Sequence, residues 1–351
     1  MAVNKRIQWI DIARGIAILL VIIGHSLGNY WPGYLGNFIF VVHMPIFFIL
    51  SGYLYHLKEE TTLFKSGVKN LLIPYIGTVV IELLCLIISK FFKDGFFYSR
   101  IGSVKGLLLS SFYGIGVPIR TPFNIDIVGI GAIWFLMAFF GGTLIFNLIM
   151  RLKIADHYKF LIIIIVSLFG YTLNQYITLP FSLNISMAVQ IFFFAGYLIK
   201  KIHLIAKLKW WHYLLFMVFW IYVASIGLFV VSDISSPNII INYIAGITSS
   251  LVLIKFSIFI ENLNRIQLTK SLTFFGANSL AILAFHLIDL DSVTLWYKIT
   301  QHLITYLPYL LVVLIGIIYR ILFVFFALMV VKNLPLVKTI FFPRKFKKIL
   351  S

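Results

Sequence analysis

Charged side chains are scarce in this sequence. Only 11% of its 351 residues are Asp, Glu, Lys or Arg, whereas 61% are hydrophobic and the mean hydropathy is +1.03. Soluble domains carry about 25% charged and about 45–50% apolar residues. A chain of this composition can bury its apolar surface only by giving most of it to lipid. The composition therefore excludes a soluble protein and predicts an integral membrane protein.

Cysteine is almost absent, and acidic residues are few. The single cysteine, Cys85, lies inside an apolar run, which excludes a disulfide framework and a cysteine-based metal site. With 11 acidic against 29 basic residues, the formal net charge is +18. Such an excess can indicate nucleic-acid binding. Here, however, Lys and Arg lie in short segments between apolar runs, as membrane topology demands, so no nucleic-acid partner is expected.

Ten apolar runs approach the length of about 20 residues that crossing a bilayer requires. They predict an all-α bundle of about ten transmembrane helices that forms a single domain over residues 1–351. The predicted helices lie at about 8–28, 37–55, 71–89, 132–150, 159–178, 185–199, 211–231, 238–260, 271–290 and 307–331. The first run has no small-residue cleavage site, so it is predicted to be a retained helix and not a signal peptide.

The basic residues predict the orientation of the bundle. With the N-terminus inside, the inner segments carry most of the 29 Lys and Arg residues, including Lys58, Lys65, Lys69, Arg151, Lys153, Lys159, Lys200, Lys201, Lys207, Lys209, Arg265 and Lys270. Both termini are therefore predicted to be cytoplasmic. The exception is the long outer segment 90–131, whose stretch 103–113 is apolar enough to lie in the interface or to re-enter the membrane.

Ionisable residues within the predicted spans are candidates for function, because they are costly to place in lipid. They are Asp11, Arg14, His25, His43, Glu82, Lys255, His286 and Arg320, with Gln190, Asn278 and Ser279 as uncharged additions.

The first helix carries the strongest pattern. Eleven steps of about 100° separate Arg14 from His25, so the two side chains share one helix face about 16 Å apart along the axis. The face thus offers a fixed cation near the cytoplasm and a titratable base deeper in the membrane. The alternatives are that Arg14 snorkels or pairs with Asp11, and that His25 is a packed interior histidine.

Three histidines from three helices are predicted to lie at similar depth in the outer half of the bundle. They are His25, His43 and His286. Three histidines can hold zinc, but here they come from separate helices, without a His-x-His or Glu-x-x-His spacing and without a carboxylate clearly beside them. No metal is expected.

The first two helices resemble the membrane-bound acyltransferase-3 family. The opening signature of that family, with its Arg-x10-His spacing, is similar to Arg14-Gly15-Ile16-Ala17 followed by Gly24-His25-Ser26. Its second-helix motif is similar to His43-Met44-Pro45-Ile46-Phe47-Phe48-Ile49-Leu50-Ser51-Gly52-Tyr53.

Weaker resemblances follow along the chain. Segments of the branch that includes fucose and other sugar O-acetylases are similar to Leu72-Ile73-Pro74-Tyr75 and Trp134-Phe135-Leu136, and the ninth-helix segment of the family is similar to Asn278-Ser279-Leu280 through His286. The chain departs from the family at Lys65 and Lys69, where members commonly carry arginines. Because lysine lacks the bidentate fork of arginine, no donor-binding role is carried over to these two residues.

The resemblance implies an O-acyltransferase that moves acetyl from acetyl-CoA, or another acyl group from its CoA thioester, to a hydroxyl of a cell-surface or lipid-linked glycan. The donor would enter from the cytoplasm, and no cofactor would be bound permanently. A multi-pass protein of the bacterial cytoplasmic membrane is expected, with membrane enzymes of glycan assembly as partners.

Site roles follow as expectations from that resemblance. The catalytic candidates are His25, as general base, and His43, which would orient the acceptor or stabilise the oxyanion. The donor candidates are Arg14 and Arg320. The acceptor-binding or supporting candidates are His286, Trp134, Asn278 and Glu82.

Several alternatives remain open in the sequence. His25 could carry the acetyl group covalently. Trp134 could belong to an interfacial aromatic belt instead of a sugar-binding wall, and Glu82 could form a structural ion pair. A polytopic transporter with a proton-coupled histidine site would also explain the intramembrane charges, although the inverted repeats of many transporters are not evident here.

Overall fold

The computed structural model describes residues 7–343 with the exception of 32, 93–94, 122–124 and 264. Helices dominate the described chain, and the predicted all-α fold is confirmed. The predicted cytoplasmic location of both termini concerns residues 1–6 and 344–351. These lie outside the described residues, so the orientation stays a prediction.

Eighteen α-helices occur in the described chain. In chain order they are α1 Gln8–Ser26, α2 Tyr34–Phe40, α3 Pro45–Tyr53, α4 Glu60–Gly67, α5 Ile73–Phe91, α6 Val104–Tyr113, α7 Trp134–Arg151, α8 Asp156–Asn174, α9 Leu183–Ala188, α10 Gln190–Lys201, α11 Leu204–Lys207, α12 Trp210–Ile226, α13 Ile239–Asn262, α14 Ile266–Ala277, α15 Ser279–Ser292, α16 Leu295–Leu303, α17 Tyr309–Asn333 and α18 Pro335–Phe341.

Three short non-α helical turns and one small hairpin complete the secondary structure. The 3-10 helices are Gly28–Tyr30 and Gly131–Ile133, and a π-helix covers Val68–Leu72. Strands β1 Ile119–Arg120 and β2 Asp126–Ile127 pair antiparallel within the long connection between α5 and α7.

The described helices make this a multi-pass membrane protein. Eight helical segments are long and apolar enough to cross a bilayer, and a ninth span results if the bent pair α14 and α15 is counted as one. The remaining predicted span corresponds to α12, which has 17 residues and ends at Ile226. All ten predicted segments therefore have helical counterparts, although the number that meet the length criterion is eight or nine.

Two prolines explain where the helices depart from the predicted ranges. The predicted helix at 37–55 is split into α2 and α3, because Pro45 begins α3 and cannot donate the backbone bond that would continue α2. Pro74 lies two residues after the end of the π-helix Val68–Leu72. This π-helix lies where the missing N–H of Pro74 interrupts the regular ladder.

The helix predicted at 71–89 is the later part of a longer element. The uninterrupted helical stretch Glu60–Phe91 has 32 residues, which corresponds to about 48 Å at 1.5 Å per residue. The hydrocarbon core of a bilayer is about 30 Å thick. This helix must therefore tilt strongly or extend beyond the membrane.

The chain forms two compact units, each built from separate segments. The first contains residues 7–56, Ile191–Val231 and Ser235–Ser279. The second contains Leu57–Gln190, Ser232–Ile234 and residues 280–343. The predicted single transmembrane domain over 1–351 stays a prediction.

Paired glycines hold the helices of the first unit together. A methyl group at Gly276 of α14 would overlap the carbonyl of Asp11 in α1, and one at Gly15 would overlap the carbonyl of Leu272. Because neither glycine has a side chain, the two backbones lie in direct contact, as small residues allow between membrane helices. The same reciprocal arrangement joins α3 to α10, where Gly52 lies against Phe193 and Gly196 against Ile49.

Polar side chains bind backbone groups in the second unit. The amide of Asn147 in α7 both accepts from the backbone N–H of Lys58, at 3.3 Å, and donates to its carbonyl, at 3.1 Å. Lys159 of α8 donates from Nζ to the carbonyl of Met150 at the end of α7, at 3.0 Å. These bonds satisfy the backbone groups of Lys58, which lies between α3 and α4, and the carbonyl of Met150 in the last turn of α7.

Candidate active site

The two predicted catalytic histidines both lie close to one phenylalanine in the first unit. The ring centroid of His25, on the last turn of α1, is 6.0 Å from that of Phe40 at the end of α2. The centroid of His43, in the turn between α2 and α3, is 4.5 Å from the same ring. Gly24 permits this approach, because a methyl group there would lie 3.1 Å from the Phe40 ring.

The helix that carries Phe40 is fixed against α12. Trp220 donates from Nε1 to the carbonyl of Phe38, at 2.8 Å, and its ring stacks on the Phe38 ring with centroids 4.0 Å apart. Asn37 donates from its side-chain amide to the carbonyl of Ala224, at 2.9 Å. The position of Phe40 beside the two histidines is thus set by a helix that is hydrogen-bonded and stacked against α12.

The two histidines differ in exposure and in bonding. His25 is exposed, whereas His43 is buried. Nδ1 of His43 lies 3.2 Å from the carbonyl oxygen of Ile39, which can only accept. Nδ1 therefore carries the proton in this arrangement, and in a neutral ring Nε2 keeps its lone pair. The exposed imidazole of His25 and the buried acceptor nitrogen of His43 thus lie beside the same Phe40 ring.

Arg14 lies one turn from Asp11 on α1. Its Nη1 is 3.8 Å from Oδ1 of Asp11, and the Arg14 side chain is 27% exposed whereas that of Asp11 is buried. The predicted pairing with Asp11 is therefore present. The Arg14 guanidinium thus contacts Asp11 and remains partly exposed.

Asn278 caps the end of α14. Its side-chain amide donates to the carbonyl of Phe274, at 2.6 Å, and the residue is buried. This bond satisfies a carbonyl in the last turn of α14, at the break before α15. The predicted acceptor-side role of Asn278 stays a prediction.

In the second unit, α15 carries His286 together with two aspartates. His286 is fully buried. Asp289, one turn later, accepts a hydrogen bond from Tyr319 at 2.8 Å, and its other carboxylate oxygen lies 3.5 Å from Nε of Arg320. Arg320, a predicted donor residue, thus contacts a buried carboxylate of α15. The predicted common depth of the three histidines stays a prediction.

Arg100 and Asp291 join the α5–α7 connection to the end of α15. Nη2 of Arg100 donates to the Asp291 carboxylate at 2.8 Å and to the carbonyl of Gly129 at 2.7 Å, while the Arg100 backbone N–H donates to the Asp291 carbonyl at 3.0 Å. Nearby, Phe97 forms an antiparallel bridge with Val293. The Arg100 guanidinium thus links two parts of the α5–α7 connection, at Arg100 and at Gly129, to α15, the helix that carries His286.

Glu82 of α5 lies beside this ion pair. The residue is 4% exposed, and neither carboxylate oxygen has a hydrogen-bond partner among the described residues. It lies near Asp291 and Arg100. The predicted alternative, a structural ion pair for Glu82, stays a prediction.

Trp134 begins α7, three residues after Gly131. Gly131 has φ +71°, and a methyl group there would lie 2.9 Å from Oδ2 of Asp291. Trp134 is 6% exposed, because its indole packs beneath Gly116 of the α5–α7 connection. The ring is therefore covered by protein, and its predicted role as a sugar-stacking surface stays a prediction.

Sequence reasoning missed Arg100, Asp289, Asp291 and Tyr319. Asp289 could have been found, because it is an ionisable residue inside the predicted span 271–290, one turn after His286. The remaining contacts link positions as far apart as 191 residues in the chain, and no local pattern marks them. Among the described residues, no group of three or more His, Cys, Asp or Glu side chains is arranged to hold a metal ion.

Comparison with known proteins supplies a family. No curated protein and no solved structure matches the chain. The acyltransferase-3 family, described as an acyltransferase domain, matches residues 7–329, which include Arg14, His25, His43 and the charged residues of α15. Because this match spans nearly the whole sequence, the chain belongs to the acyltransferase-3 family and is a membrane acyltransferase.

Proposed function

We propose that this protein is an O-acyltransferase of the sugar O-acetylase branch, which moves acetyl from acetyl-CoA to a hydroxyl of a cell-surface or lipid-linked glycan. The observation that carries the proposal is the pairing of an exposed His25 with a buried His43 around Phe40, on a helix that also presents Arg14. Family membership supports acyl transfer and gives no support to the transporter alternative.

His25 is the general base of the proposed reaction. Its imidazole takes the proton of the acceptor hydroxyl while the hydroxyl oxygen attacks the thioester carbonyl. The carbon–sulfur bond then breaks, and the imidazolium returns the proton to the leaving thiolate. The products are an ester and free CoA thiol, so atoms and protons balance. The exposure of His25 supports this role, because a base must reach the proton that it removes.

His43 orients the acceptor hydroxyl in this mechanism. Since its Nδ1 proton is directed to the Ile39 carbonyl, the other nitrogen of a neutral ring accepts a hydrogen bond and does not donate one. Of the two roles expected for His43, acceptor orientation is therefore favoured over oxyanion stabilisation, which needs a donor.

Arg14 binds the donor. Its guanidinium is partly exposed, and a guanidinium can offer parallel N–H groups to a phosphate of CoA. A donor role for Arg320 remains a prediction, and its contact with Asp289 would have to be shared with the donor. His286, Trp134, Asn278 and Glu82 are proposed on the acceptor side, and the bacterial cytoplasmic membrane is the proposed location.

The test is the acetate-ester content of surface glycans in cells with the intact protein, without it, and with His25→Ala. His56→Ala is the matched control, because His56 is an exposed histidine of the same unit that lies outside the pair around Phe40. The proposal expects ester loss in the deletion and in His25→Ala, with normal membrane levels of the variant, and no loss in His56→Ala. Equal ester content in all strains would refute it.

A covalent route is tested separately. If His25 carries the acetyl group, incubation with radiolabelled acetyl-CoA in the absence of acceptor leaves label on the intact protein and none on His25→Ala. If the transfer is direct, as proposed, neither protein retains label.

A further inference from the structure

The connection between α1 and α2 carries an exposed tryptophan in contact with Phe40. Trp31 is 40% exposed, and the centroid of its ring lies 5.8 Å from that of Phe40. His25 and His43 pack against the same phenylalanine. All four residues belong to the first unit. A partly accessible indole thus lies in the immediate surroundings of the proposed base.

Local backbone contacts set the position of Trp31. Its N–H donates to the carbonyl of Gly28, at 3.0 Å, and Gly28 has φ +53°, a conformation that favours glycine. Gly36, in the first turn of α2, leaves room for the indole, because a methyl group there would lie 3.1 Å from Cδ1 of Trp31. The chain thus holds the indole against α2 with part of the ring accessible.

The exposure of His25 indicates that this part of the surface faces water or substrate. An ionisable side chain is costly in contact with lipid, and His25 is exposed beside the ring on which Trp31 packs. Asn29, two residues before Trp31, is exposed as well. Trp31 therefore lies where a polar substrate can reach it.

The accessible indole has the properties of a sugar-binding surface. Trp134, the residue expected from the sequence to stack on a sugar, is 6% exposed and covered by protein, whereas Trp31 is open. The face of an indole carries partial negative charge. It therefore attracts the weakly positive C–H groups that make up the face of a pyranose ring. An exposed indole can also donate from Nε1 to a sugar hydroxyl.

We infer that Trp31 is the stacking surface for a pyranose ring of the acceptor glycan and selects sugars whose ring face consists of C–H groups. The inference rests on the proposed function and deepens it by assigning the residue that recognises the sugar. The stacked ring belongs to the glycan whose hydroxyl His25 deprotonates. A polyol that has similar hydroxyl groups but no ring lacks the flat face and is bound less well.

The experiment uses the full-length protein in membranes that contain the native acceptor. Incorporation of radiolabelled acetyl from acetyl-CoA into alkali-labile ester of the membrane glycan is measured while one of two probes competes. The probes are methyl β-glucopyranoside, whose ring has a flat C–H face, and glucitol, an open-chain polyol. The readout is the ratio of their half-inhibitory concentrations, because a change in affinity for the native acceptor alters both equally.

Three variants of Trp31 separate the ring from its bulk. Trp31→Ala removes the ring, Trp31→Leu removes it but keeps an apolar side chain against Phe40, and Trp31→Tyr keeps an aromatic face. Trp210→Ala is the matched control. Trp210 is an exposed tryptophan of the same unit that begins α12, whereas α2 is bound to α12 at Trp220 and Ala224.

The expected result is a preference for the ring that depends on Trp31. In the intact protein the glucoside inhibits at much lower concentration than glucitol. In Trp31→Ala and Trp31→Leu this preference falls about three- to tenfold, the range that the loss of one aromatic contact implies. The KM for acetyl-CoA stays the same. Trp31→Tyr retains most of the preference, and Trp210→Ala retains all of it.

The inference is overturned if glucitol inhibits the intact protein as well as the glucoside does, if neither probe inhibits, or if Trp31→Leu keeps the full preference. A tryptophan that only anchors the chain at the membrane interface would change the protein level and leave the preference as it is. If the intact protein incorporates no label at all, the proposed function fails and the inference fails with it. Label incorporation without a preference for the ring removes the inference alone.

Discussion

The contact between α1 and α14 can be tested by filling one glycine. In Gly276→Ala the added methyl carbon would overlap the Asp11 carbonyl oxygen and lie 2.7 Å from its carbonyl carbon. Carbon atoms pack at about 3.5–4.0 Å, so the helices must separate by about 1 Å. Since the obstacle is backbone, no side chain can rotate away to make room.

The expected cost follows from two opposing effects. Overpacking of a tight interface costs about 1–3 kcal/mol, and the rigid carbonyl places this site at the upper end. Alanine regains about 1 kcal/mol through its higher helix propensity. We therefore expect a net destabilisation of about 2 kcal/mol. Because α1 also carries Arg14 and His25, the displacement should lower the transfer rate as well.

The assay is thermal stability of the detergent-solubilised protein, read as the fraction that remains monodisperse after heating. Gly77→Ala is the matched control, because the nearest atom to its added methyl is the γ2 methyl of the Ile340 side chain and not a backbone atom. We expect a midpoint lowered by several degrees for Gly276→Ala and by much less for Gly77→Ala. Equal midpoints for both variants would refute the close approach of the two backbones.

Three further variants test the charged contacts. Arg14→Lys keeps the charge but loses the guanidinium fork, so the KM for acetyl-CoA should rise about tenfold, the effect of one charge-assisted bond; an unchanged KM would remove Arg14 from the donor site. Arg100→Ala should destabilise the protein by about 1–3 kcal/mol, because it leaves the Asp291 carboxylate buried without its side-chain donor. The cost is kept in this range because the Arg100 side chain is one-third exposed, so that water already screens the pair. A double-mutant cycle with Asp291→Asn measures the coupling, and strictly additive losses would contradict a direct pair. Tyr319→Phe removes one hydrogen bond to Asp289 and should lower the thermal midpoint by the equivalent of about 1 kcal/mol; an unaltered midpoint would count against that bond.

The membrane fold was predictable because its physical basis is local. Hydrophobic runs of about 20 residues have few alternatives to a spanning helix, and the predicted ranges agree with the observed helices within a few residues at α1, α7 and α13. The breaks were harder to place. Pro45 signals a boundary by its missing N–H, but the division of 271–290 at Asn278 depends on a side-chain cap that the sequence does not mark as such.

The site was only partly predictable. Arg14 and His25 share a helix face because eleven residues of α-helix correspond to about three full turns. The sequence alone carries that information. The placement of His43 beside the same phenylalanine depends on a turn at residues 41–44 and on the bonds that hold α2 to α12. The pairing of Arg100 with Asp291 joins distant positions, and the side-chain partners of such residues follow from tertiary packing.

The most direct test of the central claim is transfer of radiolabelled acetyl from acetyl-CoA in membrane vesicles that carry the intact protein, His25→Ala or His56→Ala at equal levels. The account predicts alkali-labile label in glycan for the intact protein and for His56→Ala, and none for His25→Ala. If His25→Ala vesicles label the glycan as strongly as vesicles with the intact protein, His25 is not the base. If no alkali-labile label enters glycan in any of the three preparations, acetyl transfer to a glycan is contradicted.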